Sequence, residues 1–183
     1  MTVNREVLLT TPRFDVLQIQ ATDPRYQSDF YIEKFDGVSV AAISGFSVIM
    51  LEIERRGQSR SSLEFPGGRI EREEDALMAA RRELHEEVEL VCDDLEYVGW
   101  IAPLPGLVSE RVHLLIAHVL PEEAACANVQ IGHEGIQRQC MVRISDLPRF
   151  CADGRISSAV DAYFALRLAC ENVTGDPVPL GDE

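Results

Sequence analysis

Glu83, Glu86 and Glu87 stand at positions i, i+3 and i+4 in the stretch GGRIEREEDALMAARRELHEEVEL, residues 67–90. On a helix that spacing sets three carboxylates side by side on one flank. Like charges so placed repel and raise one another's pKa, and a divalent cation reverses the sign of both effects. Oxygen donors alone point to a hard cation, Mg2+ or Mn2+, and away from zinc, which would take His or Cys. Such ions keep several waters and grip phosphate oxygens. An acidic helix face met by itself reads as a solvated surface, so the surrounding residues have to decide.

They supply a helix and a turn. Leu77, Ala80, Leu84 and Val88 recur at three- and four-residue spacing and form an apolar stripe. Glu73, Glu74 and Asp75 suit a helix N-terminus, where unpaired N–H groups favour negative charge. Ahead of them, Leu63-Glu64-Phe65-Pro66 reads as a short strand feeding Gly67-Gly68, a pair that lets backbone approach an ion or a phosphate closely.

Alternation predicts strands over 14–20 and 29–35, with TDPRYQS between them as a loop, and core strands over 37–43 and 46–54. Further strands are expected over 95–102, 110–120 and 136–144, with a stiff Pro103-Leu104-Pro105-Gly106 turn. Helix signals follow at Ser145-Asp146 and from Ser157 to Cys170, with Val160, Phe164 and Leu168 on one face. Strands interleaved with two or three helices predict an α/β sandwich around a mixed sheet. Residues 1–35 read as a strand-bearing extension that could hold two chains together, 36–170 as the domain, and 171–183 as a frayed acidic tail.

The 183 residues suffice for one domain with a sizeable core, and 46% are hydrophobic. A formal charge of −14 argues against nucleic acid and anionic membranes as partners. Part of that charge is local: residues 71–89 carry eight acids against three arginines, so a polyanionic substrate would need cations there first. The five cysteines, Cys92, Cys126, Cys140, Cys151 and Cys170, are odd in number and form no CxxC pair, which predicts reduced, mostly buried thiols in a cytoplasmic setting. No long apolar run or exported leader is read.

From Gly68 onward the chain reads glycine, five residues, Glu74, seven residues, then Arg82-Glu83-Leu84-His85-Glu86-Glu87 and three more positions. Those 23 residues resemble the Nudix box, the signature of hydrolases that cleave a nucleoside diphosphate linked to another moiety. One position departs, Glu89 standing where the family has glycine. A glycine there would serve as a left-handed C-cap, so a glutamate would cost on the order of 1 kcal/mol or shift the helix end. LEFPGG, the PGLVSER stretch at 105–111 and the pattern HEGIQRQCMVRISDL with GRISSAVDAYFAL are similar to the ADP-ribose pyrophosphatase branch, so the likeness runs over roughly residues 36–168.

The resemblance implies roles residue by residue. Glu83, Glu86, Glu87 and the Gly67 carbonyl would bind Mg2+, with Mn2+ able to substitute, and Glu74 and Arg82 would pair to orient them. Arg55 would contact phosphate and Glu110 the ribose portion. Glu134, with His133 as its rival, would be the general base. Phe30 and Tyr31 would help hold adenine from strands exchanged in a homodimer. The expected reaction is cleavage of ADP-ribose or a related nucleoside-diphosphate sugar to a nucleoside monophosphate and a sugar phosphate. GDP-mannose, NADH or another dinucleotide, and a nucleotide-sensing module without catalysis, are the competing readings.

Overall fold

The computed structural model describes residues 4–20, 29–55, 57–129 and 131–174. Two sheets form. β1 (Asn4–Thr10), β2 (Phe14–Gln20) and β3 (Asp29–Lys34) make an antiparallel three-stranded sheet. The sequence reading found β2 and β3 and missed β1. Its residues are exposed throughout, so the one-sided burial that produces a legible alternation is absent. The loop expected at TDPRYQS lies outside the described residues.

The larger sheet is built from β4 (Gly37–Ser44), β5 (Ser47–Ile53), β6 (Ser62–Glu64), β7 (Gly67–Arg69), β8 (Leu95–Ile101), β9 (Val112–His118) and β10 (Ile136–Arg143). Its order is β10-β5-β4-β9-β8, with β6 on β5 and β7 on β4. Parallel pairing of β4 with β9 makes the sheet mixed. β4 meets β5 only at Ile43 and Ser44, while its first residues pair with β7. The sheet therefore parts between β4 and β5, and Gly67-Gly68 enters from that split.

Helices cover both faces. α1 (Ala76–Val88) lays Ala80, Leu84 and Val88 on Val38, Val40, Leu51, Ile53 and Leu115. On the other face α3 (Leu147–Ala152) and α4 (Ala159–Thr174) pack Leu147, Phe164 and Leu168 on Met50, Val98, Leu114 and Val142. α2 (Pro121–Cys126), a six-residue helix after β9, was not foreseen. α4 runs to Thr174, so residues 171–174, expected in the tail, are helical, and residues 175–183 lie outside the described set. The expectation of mostly buried thiols fails: Cys92 is buried, Cys140 and Cys151 are half-buried, and Cys126 and Cys170 are exposed, because the last two sit on the outer faces of short or terminal helices. Among the described residues no helix is long and apolar enough to cross a membrane.

Candidate active site

α1 starts where its cap dictates. Asp75 is extended (φ −93°, ψ 174°) and its side chain accepts the Met78 N–H at 2.8 Å, satisfying one of the donors a helix N-terminus leaves unpaired. At the other end Glu89 is left-handed (φ 54°, ψ 27°). Its N–H reaches the His85 carbonyl at 3.1 Å, and Leu90 N–H reaches Leu84 at 3.1 Å. The helix thus ends as a glycine would end it, and glutamate bears the strain.

Arg82 is the hub of the exposed side of the site. Its Nε and Nη2 grip both oxygens of Glu74 at 2.8 and 3.0 Å, Nη2 also donates to the Arg69 carbonyl at 2.8 Å, and Nη1 bridges Glu83 at 2.8 Å and Glu86 at 3.1 Å. A planar guanidinium with five donors suits this; a lysine could not reproduce it. The hydrogen bonds from Arg82 hold the Glu74 carboxyl below its usual range.

Glu83 and Glu87 face inward. Glu87, 3% exposed, accepts the Gly67 N–H at 2.8 Å. Burial pushes its carboxyl up to about 8; the Gly67 N–H opposes the shift, and the charges of Glu83 and Glu134 add to it. Burial also raises Glu83, against the pull of Arg82. A Cβ on Gly67 would collide with the Val38 carbonyl, and one on Gly68 with the Glu83 carboxylate. At Gly67 the backbone of β4 leaves no room for a side chain irrespective of φ, and at Gly68 a side chain would displace the Glu83 carboxylate.

Glu134 arrives from a distant loop. It is itself left-handed (φ 47°), between Gly132 and Gly135 with φ of 87° and 88°. The loop is clipped to the end of β5: Glu54 N–H donates to the Gly135 carbonyl at 2.9 Å, and a Cβ on Gly135 would strike the Glu54 carbonyl. The charge of Glu134 is felt at Glu83, Glu87 and Arg55, so the fold brings it to the box from across the sheet. The His133 side chain lies outside the described set.

Arg55 is engaged. Its guanidinium donates to Glu64 at 2.7 and 3.4 Å, and this bond is the main reason its pKa rises. Glu64 is buried, and sequence reasoning did not single it out, although it stands in the quoted LEFPGG. Asp161 was missed as well. Buried at the start of α4, it accepts the Phe65 N–H at 3.0 Å, and burial pushes it up to about 6. Glu110 is held by Lys34 at 2.6 Å. Tyr31 spends its hydroxyl on the Pro105 and Val108 carbonyls at 3.3 and 3.0 Å, and Phe30 is exposed on β3.

The donor set around Gly67 is all oxygen, buried in part and short of positive charge, which fits a hard divalent cation. Among the described residues no three His, Cys, Asp or Glu side chains close on one point. Glu86 turns to Arg82, and being exposed it can swing without repacking the core.

A NUDIX domain model matches residues 34–157, and the chain belongs to that family: by sequence and fold it is a Nudix hydrolase domain. A Bacillus methanolicus protein described as a methanol dehydrogenase activator is 33% identical over 93 residues, 50% of each chain, so this chain spans about half the length of that curated relative. A crystal structure of a protein described as an ADP compounds hydrolase superposes with a TM-score of 0.74 over 95% of this chain and 94% of its own, at 21% identity. At that identity the likeness shows the fold.

Proposed function

We propose that the chain is a Mg2+-dependent pyrophosphatase that cleaves the diphosphate of ADP-ribose or a related nucleoside-diphosphate sugar. The observation that carries this is Glu87, enclosed beside Glu83 and Glu134 with only oxygen donors around Gly67. Mg2+ or Mn2+ would be held by Glu83, Glu86, Glu87 and the Gly67 carbonyl, and when bound it neutralises the diphosphate and lowers the pKa of the attacking water. The chain's own part is positional. Arg82 and Glu74 hold the α1 carboxylates in register, Arg55 presents cationic charge to the phosphates, and Glu110 borders the ribose portion.

Glu134 takes the proton from the attacking water, because the inward glutamates of the box are committed as ligands. The name of the structural neighbour supports an ADP-linked substrate. Phe30 and Tyr31 are the adenine contacts implied by the family resemblance, although the hydroxyl of Tyr31 is tied to the loop. Exposed Val7, Leu8 and Leu9 on β1 support a homodimer joined through residues 1–35, leaving 36–170 as the catalytic domain. Neither nucleic acid nor a membrane is a partner in this reading, and the setting is cytoplasmic. The test is a screen of ADP-ribose, GDP-mannose, NADH and other dinucleotides with Mg2+, reading phosphate released by a phosphatase that acts only on the products. No release from any of them would overturn the proposal.

A further inference from the structure

A line of backbone pairing runs from the box across four strands to the only tryptophan in the chain. Gly68 of β7 pairs with Val38 of β4, Val38 with His113 of β9, and His113 with Trp100 of β8. Three strand spacings place Trp100 roughly 14 Å from Gly68, a span that one extended nucleoside diphosphate can bridge. Directly paired residues share a face of a sheet. Val112 and Leu114 point into the α4 side, so His113, Trp100 and Arg111 stand on the α1 side, the face of the box carboxylates.

Trp100 is 42% exposed, although an indole gains by burial. Arg111 holds its guanidinium 4.6 Å from the centre of the Trp100 ring. The Arg111 backbone is fixed at both ends, its N–H on Asp36 Oδ1 at 2.8 Å and its carbonyl accepting Gly37 N–H at 2.9 Å. On the other side of β4 a second such couple, Arg69 over Phe35 at 5.2 Å, borders a cavity of about 390 Å3. Two guanidinium–aromatic couples flanking β4, the strand on which the box turn pairs, form a surface for a flat, π-rich group attached to an anion.

We infer that Trp100 and Arg111, in place of the Phe30 and Tyr31 that the family resemblance implies, form the platform on which the nucleobase of the substrate stacks. The inference rests on the pyrophosphatase reading for its substrate and stands apart from it in its test. Indole and guanidinium planes both stack on nucleobases with little sequence preference, so the platform would accept several bases and leave selection to the sugar side. Tyr97, with its hydroxyl 2.9 Å from His113 Nδ1, buttresses the platform.

Since Trp100 is the sole tryptophan, its emission reports the stack directly, in the full chain and without turnover. Titration with AMP, a base-bearing ligand, is expected to quench it saturably, while ribose 5-phosphate leaves it unchanged once absorption is corrected with free N-acetyltryptophanamide. Trp100→Ala is expected to raise KM for the best nucleotide substrate about ten-fold while kcat keeps its order, and Trp100→Phe to restore most of the loss. Arg111→Ala should weaken AMP quenching by a similar factor with far-UV circular dichroism unchanged. Unchanged emission on saturation with a substrate that the protein cleaves would overturn the platform and leave the pyrophosphatase reading standing. Quenching without hydrolysis would do the reverse. Quenching by ribose 5-phosphate equal to that by AMP would also overturn it.

Discussion

Glu87 on α1 accepts the backbone N–H of Gly67 at 2.8 Å, so the carboxylate helix and the turn that faces it are locked together at the centre of the site. The same carboxyl is raised to about 8 by burial, so the metal-free site favours a proton where the loaded site needs a charge.

Stability without metal should therefore fall as pH rises. Glu87 has an ordinary carboxyl value near 4.5 and about 8 when folded, and Asp161 shifts from 3.8 to about 6. Both bind more protons folded than unfolded, so their contribution is full below the ordinary values and is lost as pH rises through the folded ones. In EDTA, Tm should decline from pH 5 to pH 8 relative to the Mg2+ form, with activity absent and restored by Mg2+ or Mn2+. Full turnover in excess EDTA, or a metal effect on Tm that does not change with pH, would contradict this.

Replacing Glu134 with Gln keeps its size and removes its charge. Loss of a general base costs about a hundred- to ten-thousand-fold in rate, so kcat should fall within that range with the fold intact, a smaller change in KM, and His133→Ala mild. Near wild-type kcat would hand the role to a box glutamate or to His133.

Gly68→Ala puts a methyl group onto the Glu83 carboxylate. The side chain must move, and with it a proposed metal ligand, so the Mg2+ concentration for half activity should rise at least ten-fold while thermal stability changes little. An unchanged Mg2+ dependence would show that Glu83 is not a ligand.

Asp161 connects α4 to the strand that enters the box turn. Asp161→Ala leaves the buried Phe65 N–H without an acceptor, at a cost of about 1–3 kcal/mol, to be read from urea denaturation. Asp161→Asn keeps an acceptor and should recover most of that stability. Equal losses in the two variants would mean that charge, and not the hydrogen bond, is what the position supplies.

The amino-terminal sheet touches the domain through β3, whose Ile32 exchanges backbone hydrogen bonds with Leu107 and Ser109 at 2.8 and 3.0 Å. β1 lies beyond it and exposes Val7, Leu8 and Leu9, more apolar surface than a lone edge strand tolerates. Sedimentation should give twice the chain mass. A monomer at micromolar concentration that turns over substrate would count against the dimer.

α1, the core strands and the grouping of Glu83, Glu86 and Glu87 were legible in the sequence, because helical and strand periodicities are local and the carboxylates lie within one and a half turns. The resemblance to the box put a left-handed C-cap at Glu89, with a strained glutamate or a shifted helix end as the two outcomes, and the structure takes the first (φ 54°, ψ 27°). Tertiary structure alone decided which of the three glutamates turns inward, since that depends on the β7 turn lying against α1. It decided that Arg55 is bound to Glu64, that Asp161 holds Phe65, and that Trp100 lies in line with Gly68. Those relations join residues 9 to 96 positions apart through strand pairing and helix packing, and no local pattern encodes which distant backbone a side chain will meet.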